Sequence, residues 1–333
     1  MKKGVFIIAE AGVNHNGSLE MARQLIRAAA HAGADAVKFQ TFRSGLLATP
    51  GAPRAEYQEN GSGSRGSQLE MLRKLELNED DHLELIKYCR ELGIRFMSTP
   101  IDHESIEMLD RLGLDVFKIG SGDMNNVPYL RHVAGLKKRI ILSTGMSDLG
   151  EVGQSLKVLL DAGMRKIDIT LLHTNTDYPT SFKDVNLLAM NTLKKEFGTE
   201  VGYSDHTRGI EAAVAAVALG ASVIEKHFTL SRELEGPDHK ASLEPGELEA
   251  MIKAIRNIED ALGDGVKKIT DSERKNMTAA RKSIVALKDI KMGDVLSIDN
   301  ITVKRPGNGK SPLLWDNIIG TRAEKDYKKD DLI

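Results

Sequence analysis

The chain has 333 residues, 41% of them hydrophobic and 28% charged, enough for one large core and a second small one, which excludes disorder as its resting state. Its 46 basic and 48 acidic side chains leave a formal charge of −2, so no global field holds nucleic acid or an anionic membrane, and any anion must be bound locally. The single cysteine, Cys89, excludes an intrachain disulfide and reads as a buried bystander, and the apolar run at 4–12 is too short to cross a bilayer, so a cytoplasmic protein is expected.

Short apolar runs rich in β-branched residues predict strands at 5–10, 36–41, 95–99, 116–119, 139–143, 167–173, 200–203 and 223–227. Between them, apolar residues at i, i+3 and i+4 predict helices, for instance at 19–32, 83–92, 105–112, 155–162 and 210–219. Gly33, Gly93, Gly113, Gly163 and Gly220 stand where helix C-caps are needed. Eight alternating units predict a (β/α)₈ TIM barrel over 1–265, with an open doubly wound sheet as the weaker alternative. The connection at 43–68, with Pro50, Pro53 and the Gly/Ser cluster 61–67, is long enough to read as a lid. After the last barrel helix, at 247–262, residues 266–282 read as a linker. Residues 283–333 then read as a small, mostly β domain with short strands at 284–287, 291–294 and 301–303, a thin core that leans on something larger.

Catalysis in such barrels sits at the C-terminal ends of the strands, and here all eight ends are polar. In strand order they carry Glu10 with Asn14 and His15; Lys38 and Gln40; Ser98 and Thr99; Lys118, Ser121 and Asp123; Ser143; His173 and Tyr178; Ser204, Asp205 and His206; Glu225 and His227. Residues two apart on a strand share a face, so Lys38 with Gln40, and Glu225 with His227, point the same way. Burying such groups is costly unless they meet a ligand or one another.

His206 and His227, on adjacent strands, can grip one divalent metal and leave positions open for water and substrate oxygens. A core histidine bonded to Asp205 is the competing reading of His206. Lys38 and Lys118 with the hydroxyls of Thr99, Ser121, Ser143 and Ser204 suit a phosphate and a carboxylate, and Gly120 and Gly122 suggest a backbone anion nest. No GxxxxGK[ST] pattern is present, and the one GxGxxG match, at 61–66, lies in the Gly/Ser cluster of the long connection rather than directly after a predicted strand, which argues against nucleotide and dinucleotide chemistry.

Taken together, Ile8-Ala9-Glu10-Ala11-Gly12-Val13-Asn14-His15-Asn16-Gly17, Val37-Lys38-Phe39-Gln40-Thr41, Phe117-Lys118-Ile119-Gly120-Ser121-Gly122, Ser143-Thr144-Gly145-Met146, Ser204-Asp205-His206-Thr207 and Glu225-Lys226-His227-Phe228-Thr229 resemble the sialic acid (N-acetylneuraminate) synthase family. The tail, with Val303-Lys304-Arg305-Pro306-Gly307-Asn308-Gly309, resembles that family's antifreeze-like (SAF) domain. The resemblance implies condensation of phosphoenolpyruvate with an open-chain N-acetylated amino sugar. It implies a metal on His206 and His227, Mn²⁺ first, with Mg²⁺ or Co²⁺ as alternatives. Lys38, Thr99, Lys118, Ser121, Ser143 and Ser204 would bind phosphoenolpyruvate. Gln40, Tyr178 and Asp238 would face the sugar, and Glu10 or Asp123 would steer protons and water. A domain-swapped homodimer is implied, with Arg305 reaching the partner's sugar. Two departures, Asp123 where Glu is commoner and Thr174-Asn175-Thr176-Asp177 ahead of Tyr178, bear on the sugar. N-acetylmannosamine is the default acceptor, and the 6-deoxy-diacetamido sugar leading to legionaminic acid is its rival. A metal-dependent aldolase or isomerase would leave the paired lysines unexplained, and Lys304, Arg305 and Lys310 argue against an ice-binding face.

Overall fold

The computed structural model describes residues 4–53 and 67–333 and divides the chain into two compact units, Met1–Gly263 and Asp264–Ile333. In the larger unit eight strands run parallel: β1 (Phe6–Gly12), β2 (Ala36–Thr41), β3 (Arg95–Pro100), β4 (Val116–Ile119), β5 (Arg139–Ser143), β6 (Ile169–Thr174), β7 (Glu200–Asp205) and β8 (Val223–His227). Their order is β3-β2-β1-β8-β7-β6-β5-β4, and β3 also lies against β4. Because β1 pairs with both β2 and β8, the first strand meets the last, which a doubly wound sheet does not allow. The sheet is a barrel.

The surrounding helices are α1 (Leu19–Ala32), α2 (Glu79–Leu92), α3 (His103–Arg111), α4 (Val127–Gly135), α5 (Leu149–Asp161), α6 (Leu188–Phe197), α7 (Glu211–Ala218) and α8 (Pro245–Leu262). The first shows why they form. Ser18 accepts from the Met21 amide at its start, and Ala22, Leu25, Ile26 and Ala29 fall on one buried face. Gly33 then takes a left-handed turn at φ 85° and returns its N–H to the Ala29 and Ala30 carbonyls. All five predicted cap glycines adopt positive φ. Cys89, on the buried face of α2, is a packed thiol, its pKa pushed up by burial to about 12.

The barrel interior is layered with the two-residue period of its strands. Ile8, Ala36, Met97, Val116, Ile141, Leu172 and Val223 form an apolar floor. On the seventh strand the matching residue is Gly202, where a Cβ would meet the Val223 carbonyl oxygen at 2.3 Å, so the floor has no room for a side chain there. Two residues further along, the same inward positions carry Glu10, Lys38, Thr99, Lys118, Ser143, Thr174, Ser204 and Glu225, all buried. The parity also corrects three rim residues. Ser98, His173 and Asp205 alternate to the outer face, where Ser98 bonds Thr41 and His173 Nε2 bonds the Val185 carbonyl.

Of the segment read as a lid, residues 54–66 lie outside the described residues. Its C-terminal end is a short helix, Gln68–Arg73, capped by Ser67, and its flanks pack Val13, Phe42, Leu69, Met71, Leu72 and Leu75 into a separate apolar cluster.

In the smaller unit, α9 (Asp271–Ala280) forms within the stretch expected to be linker, because Thr270 and Glu273 close a capping box. β9 (Ser283–Ala286) and β10 (Ile301–Lys304) pair antiparallel. Residues 291–294 make a turn rather than the expected strand, since Gly293 sits at φ 88°. Ile284, Ile290, Leu296, Ile301, Ile318 and Tyr327 fill its core. Among the described residues, no helix is long and apolar enough to cross a membrane.

Candidate active site

The polar layer is a network of buried charges contributed by strands far apart in sequence. Lys38 Nζ lies 2.7 Å from Glu10 Oε2 and 3.7 Å from Glu225 Oε2, and donates to Thr99 Oγ1 at 2.8 Å. Lys118 Nζ lies 3.5 Å from Glu225 Oε1, which also accepts from the Ser204 hydroxyl at 3.1 Å. Burial pushes the Glu10 carboxyl up to about 7 against the opposing pull of Lys38. The same burial acts on Glu225, but Lys118 and Lys38 together outweigh it and hold that carboxyl at about 2. Lys38, with two carboxylates, is raised despite its burial. Lys118 is lowered by burial that Glu225 only partly offsets, making it the less compensated of the two cations. Each ammonium would gain from an incoming anion.

Above this layer stand the two histidines, ring centroids 5.4 Å apart. Asp205 does not bond His206. Instead His206 Nδ1 donates to the Asn175 carbonyl at 2.5 Å, which leaves Nε2 as the lone-pair nitrogen. His227 Nδ1 is buried without a hydrogen-bond partner, 3.9 Å from Asp238 Oδ2. Burial keeps both rings neutral, His206 at about 4 and His227 well below the usual range. Two neutral imidazoles, one oriented by a carbonyl and one with an orphaned nitrogen, fit a divalent cation. Among the described residues no third His, Cys, Asp or Glu joins them as a ligand set, so water or substrate oxygens would complete the shell.

Tyr178 lies over His206, centroids 4.1 Å apart, and turns its edge to His227 at 5.7 Å. The turn before it explains this placement. Asn175 Oδ1 accepts from the Asp177 amide and the Thr180 hydroxyl, while the Asn175 carbonyl holds His206. Gly12, at φ 53°, marks the other wall. A Cβ there would lie 3.2 Å from Glu10 Oε1, 3.5 Å from Gln40 Nε2 and 3.6 Å from Asp238 Oδ2, so these three groups surround one point. Burial raises the Asp238 carboxyl to about 6, with Lys38 opposing.

Ser143 is buried at its expected level, whereas Ser121 and Asp123 are engaged nearer the rim. Ser121 Oγ accepts from the Gly145 amide at 3.0 Å, and Asp123 Oδ1 accepts from Asn126 at 3.1 Å. Burial raises Asp123 as well, but nothing ties it to the charge network. The expected glycine nest does not form: Gly120 and Gly122 keep negative φ and lead through a 3₁₀ turn, Ser121–Asp123. Arg305, in the smaller unit, donates through Nε to the Ala280 carbonyl. Glu225 is the residue the sequence placed at the rim without a role. Its signal was a shared face with His227.

Known proteins share both the sequence and the fold of this chain. The NeuB family profile matches residues 25–267, and the SAF domain profile matches residues 281–333. The chain is 53% identical over 333 residues to the N,N'-diacetyllegionaminic acid synthase of Campylobacter jejuni, covering 100% of this chain and 99% of that protein. It is 46% identical to the N,N'-diacetyllegionaminic acid synthase of Legionella pneumophila, covering 95% and 90%. Among solved structures, the N-acetylneuraminic acid synthetase of Leptospira borgpetersenii in complex with citrate is 34% identical with a TM-score of 0.72, covering 82% of this chain and 90% of that one.

Proposed function

The chain belongs to the NeuB family, and from that premise we propose that it is an N,N'-diacetyllegionaminate synthase. It would condense phosphoenolpyruvate, an open-chain 6-deoxy-diacetamido hexose and water into the nonulosonic acid and phosphate. The reaction class rests on one observation, a buried ring of Lys38, Lys118, Glu10 and Glu225 beneath two neutral histidines. The sugar rests on 53% and 46% identity to two legionaminic acid synthases, against 34% to an N-acetylneuraminic acid synthetase. That contrast favours the diacetamido sugar over N-acetylmannosamine, the default acceptor expected from the sequence.

His206 and His227 would hold a divalent metal, Mn²⁺ first, which supplies Lewis acidity at the sugar's aldehyde oxygen. Lys118 and Lys38 receive the phosphate and carboxylate of phosphoenolpyruvate, and Thr99, Ser121, Ser143 and Ser204 supply directional donors. C3 of phosphoenolpyruvate bonds to the aldehyde carbon, water adds at C2, and phosphate leaves with its charge facing the two ammoniums. Glu10 is the better placed of the two candidate acid–base groups. Its carboxyl titrates near 7 beside Lys38, so Oε1 can hold or release a proton at the working pH, whereas Asp123 is bound to Asn126. Gln40, Tyr178 and Asp238 orient the sugar, and Arg305 of a second copy would complete the pocket in a domain-swapped homodimer. The cytoplasm, where phosphoenolpyruvate is made, is the compartment this reading requires.

Phosphate release with Mn²⁺, phosphoenolpyruvate and a panel of N-acetylated aldoses tests the reading. The diacetamido sugar is expected to exceed N-acetylmannosamine at least tenfold in kcat/KM. A preference for N-acetylmannosamine would overturn the sugar, and no sugar-dependent release at all would overturn the reaction.

A further inference from the structure

Strands β7 and β8 carry a second charge pair that faces away from the barrel interior. Asp205 and Lys226 are opposite one another in the ladder, and Lys226 Nζ lies 2.8 Å from Asp205 Oδ2 with neither side chain exposed. The same ammonium donates to the Thr207 carbonyl at 2.6 Å, and the Thr207 amide donates to Asp205 Oδ1 at 2.9 Å. Lys226 immediately precedes His227. Its ammonium therefore grips the side chain of the residue before His206 and the backbone of the residue after it. One group fastens both histidine-bearing strand ends together.

Stability does not explain the pair. The desolvation of two buried charges offsets their attraction, and well-packed apolar residues of similar volume would serve as well. What a hydrogen-bonded charge pair adds is a fixed register and direction, the property that a pair of imidazoles on neighbouring strands requires. We propose that Lys226 and Asp205 are positioning residues, which set the separation and orientation of His206 and His227 from outside the barrel and through them the affinity for a divalent cation. The cation-affinity part rests on the metal reading above; the positioning of the rings does not.

The test uses the full chain and the double variant Asp205→Asn/Lys226→Met, which keeps an acceptor for the Thr207 amide and strands no buried charge. Metal-free protein is titrated with Mn²⁺ by electron paramagnetic resonance, and the ¹⁵N-histidine imidazole resonances are recorded on the same samples without metal. The expected result is a melting temperature close to that of the parent, a Kd for Mn²⁺ raised about 10–100-fold, and displaced His206 and His227 resonances with those of His82 and His239 unmoved. Unmoved His206 and His227 resonances, with a Kd within twofold of the parent, would overturn the proposal. Should the parent fail to bind Mn²⁺, the metal reading falls and the imidazole resonances alone decide the positioning role. Should the double variant fail to fold, Lys226→Arg decides on the same readouts, because it keeps the charge but replaces a point donor with a wider planar fork. Displaced imidazole resonances support the proposal and unmoved ones overturn it.

Discussion

Lys118 illustrates how a residue can be costly at rest and useful when occupied. Its ammonium is buried with Glu225 at 3.5 Å and the Ile119 carbonyl at 3.4 Å as its near partners, a poor substitute for water. An arriving phosphate or carboxylate relieves that deficit. Lys118→Met is expected to raise the Kd for phosphoenolpyruvate about 10–100-fold, measured by calorimetry without acceptor sugar. Asp238 gives a pH test of the same interior. Its folded carboxyl titrates at about 6 and its ordinary value is 3.8, so the native state binds the proton more tightly than the unfolded chain. Stability is thus lost as pH rises from about 4 to about 6, by at most about 3 kcal/mol, and is not recovered above that range. Urea denaturation of metal-free Asp238→Asn is expected to show a flatter stability profile across this window. An unchanged slope would mean that Asp238 is not the group responsible.

At the scale of elements, the strand and helix patterns were legible because each is written locally. Strands at 36–41, 116–119, 139–143 and 223–227 and the helix at 19–32 carry the periods of their geometry without interruption. Which parity faces inward was not legible, because barrel strands are covered on both sides and read as continuous apolar runs. Hence the sequence places Ser98, His173 and Asp205 at the mouth although they lie outside. The sign of φ was equally hidden at Gly120 and Gly293, where a nest and a strand were expected and turns formed. Close approaches between elements were also beyond sequence patterns, and Gly17 is the sharpest case. It has φ 75°, and a Cβ would come within 2.2 Å of the Lys74 carbonyl oxygen. Gly17→Ala is expected to cost about 2–4 kcal/mol in urea denaturation, since backbone must move. Gly33→Ala, with a similar φ but only an ordinary contact with Ile252 Cγ2 at 3.9 Å, should cost only about 1–2 kcal/mol.

For the molecule as a whole, the small C-terminal unit gives the proposed dimer its sharpest consequence. If Arg305 serves a partner's barrel, then an Arg305→Ala chain mixed with a His206→Ala chain should recover activity that neither shows alone. Random pairing makes half the dimers mixed, each with one intact site, so recovery of about a quarter of the parent activity is expected. Recovery no greater than the sum of the two variants, with mixed dimers verified by mass spectrometry, would place Arg305 in its own chain's site. The candidate residues were legible one by one, but their grouping was not. Glu10 and Glu225 share Lys38 only because strands more than two hundred residues apart become neighbours. That closure also sets when the protein can begin to work. During synthesis Glu10, Lys38 and Lys118 leave the ribosome long before Glu225, His206 and His227 exist to meet them, and the first strand waits with one edge unclaimed until the eighth arrives. A message cut short of the eighth strand therefore yields no weak enzyme: the charge network is assembled all at once, by the last barrel strand to be made.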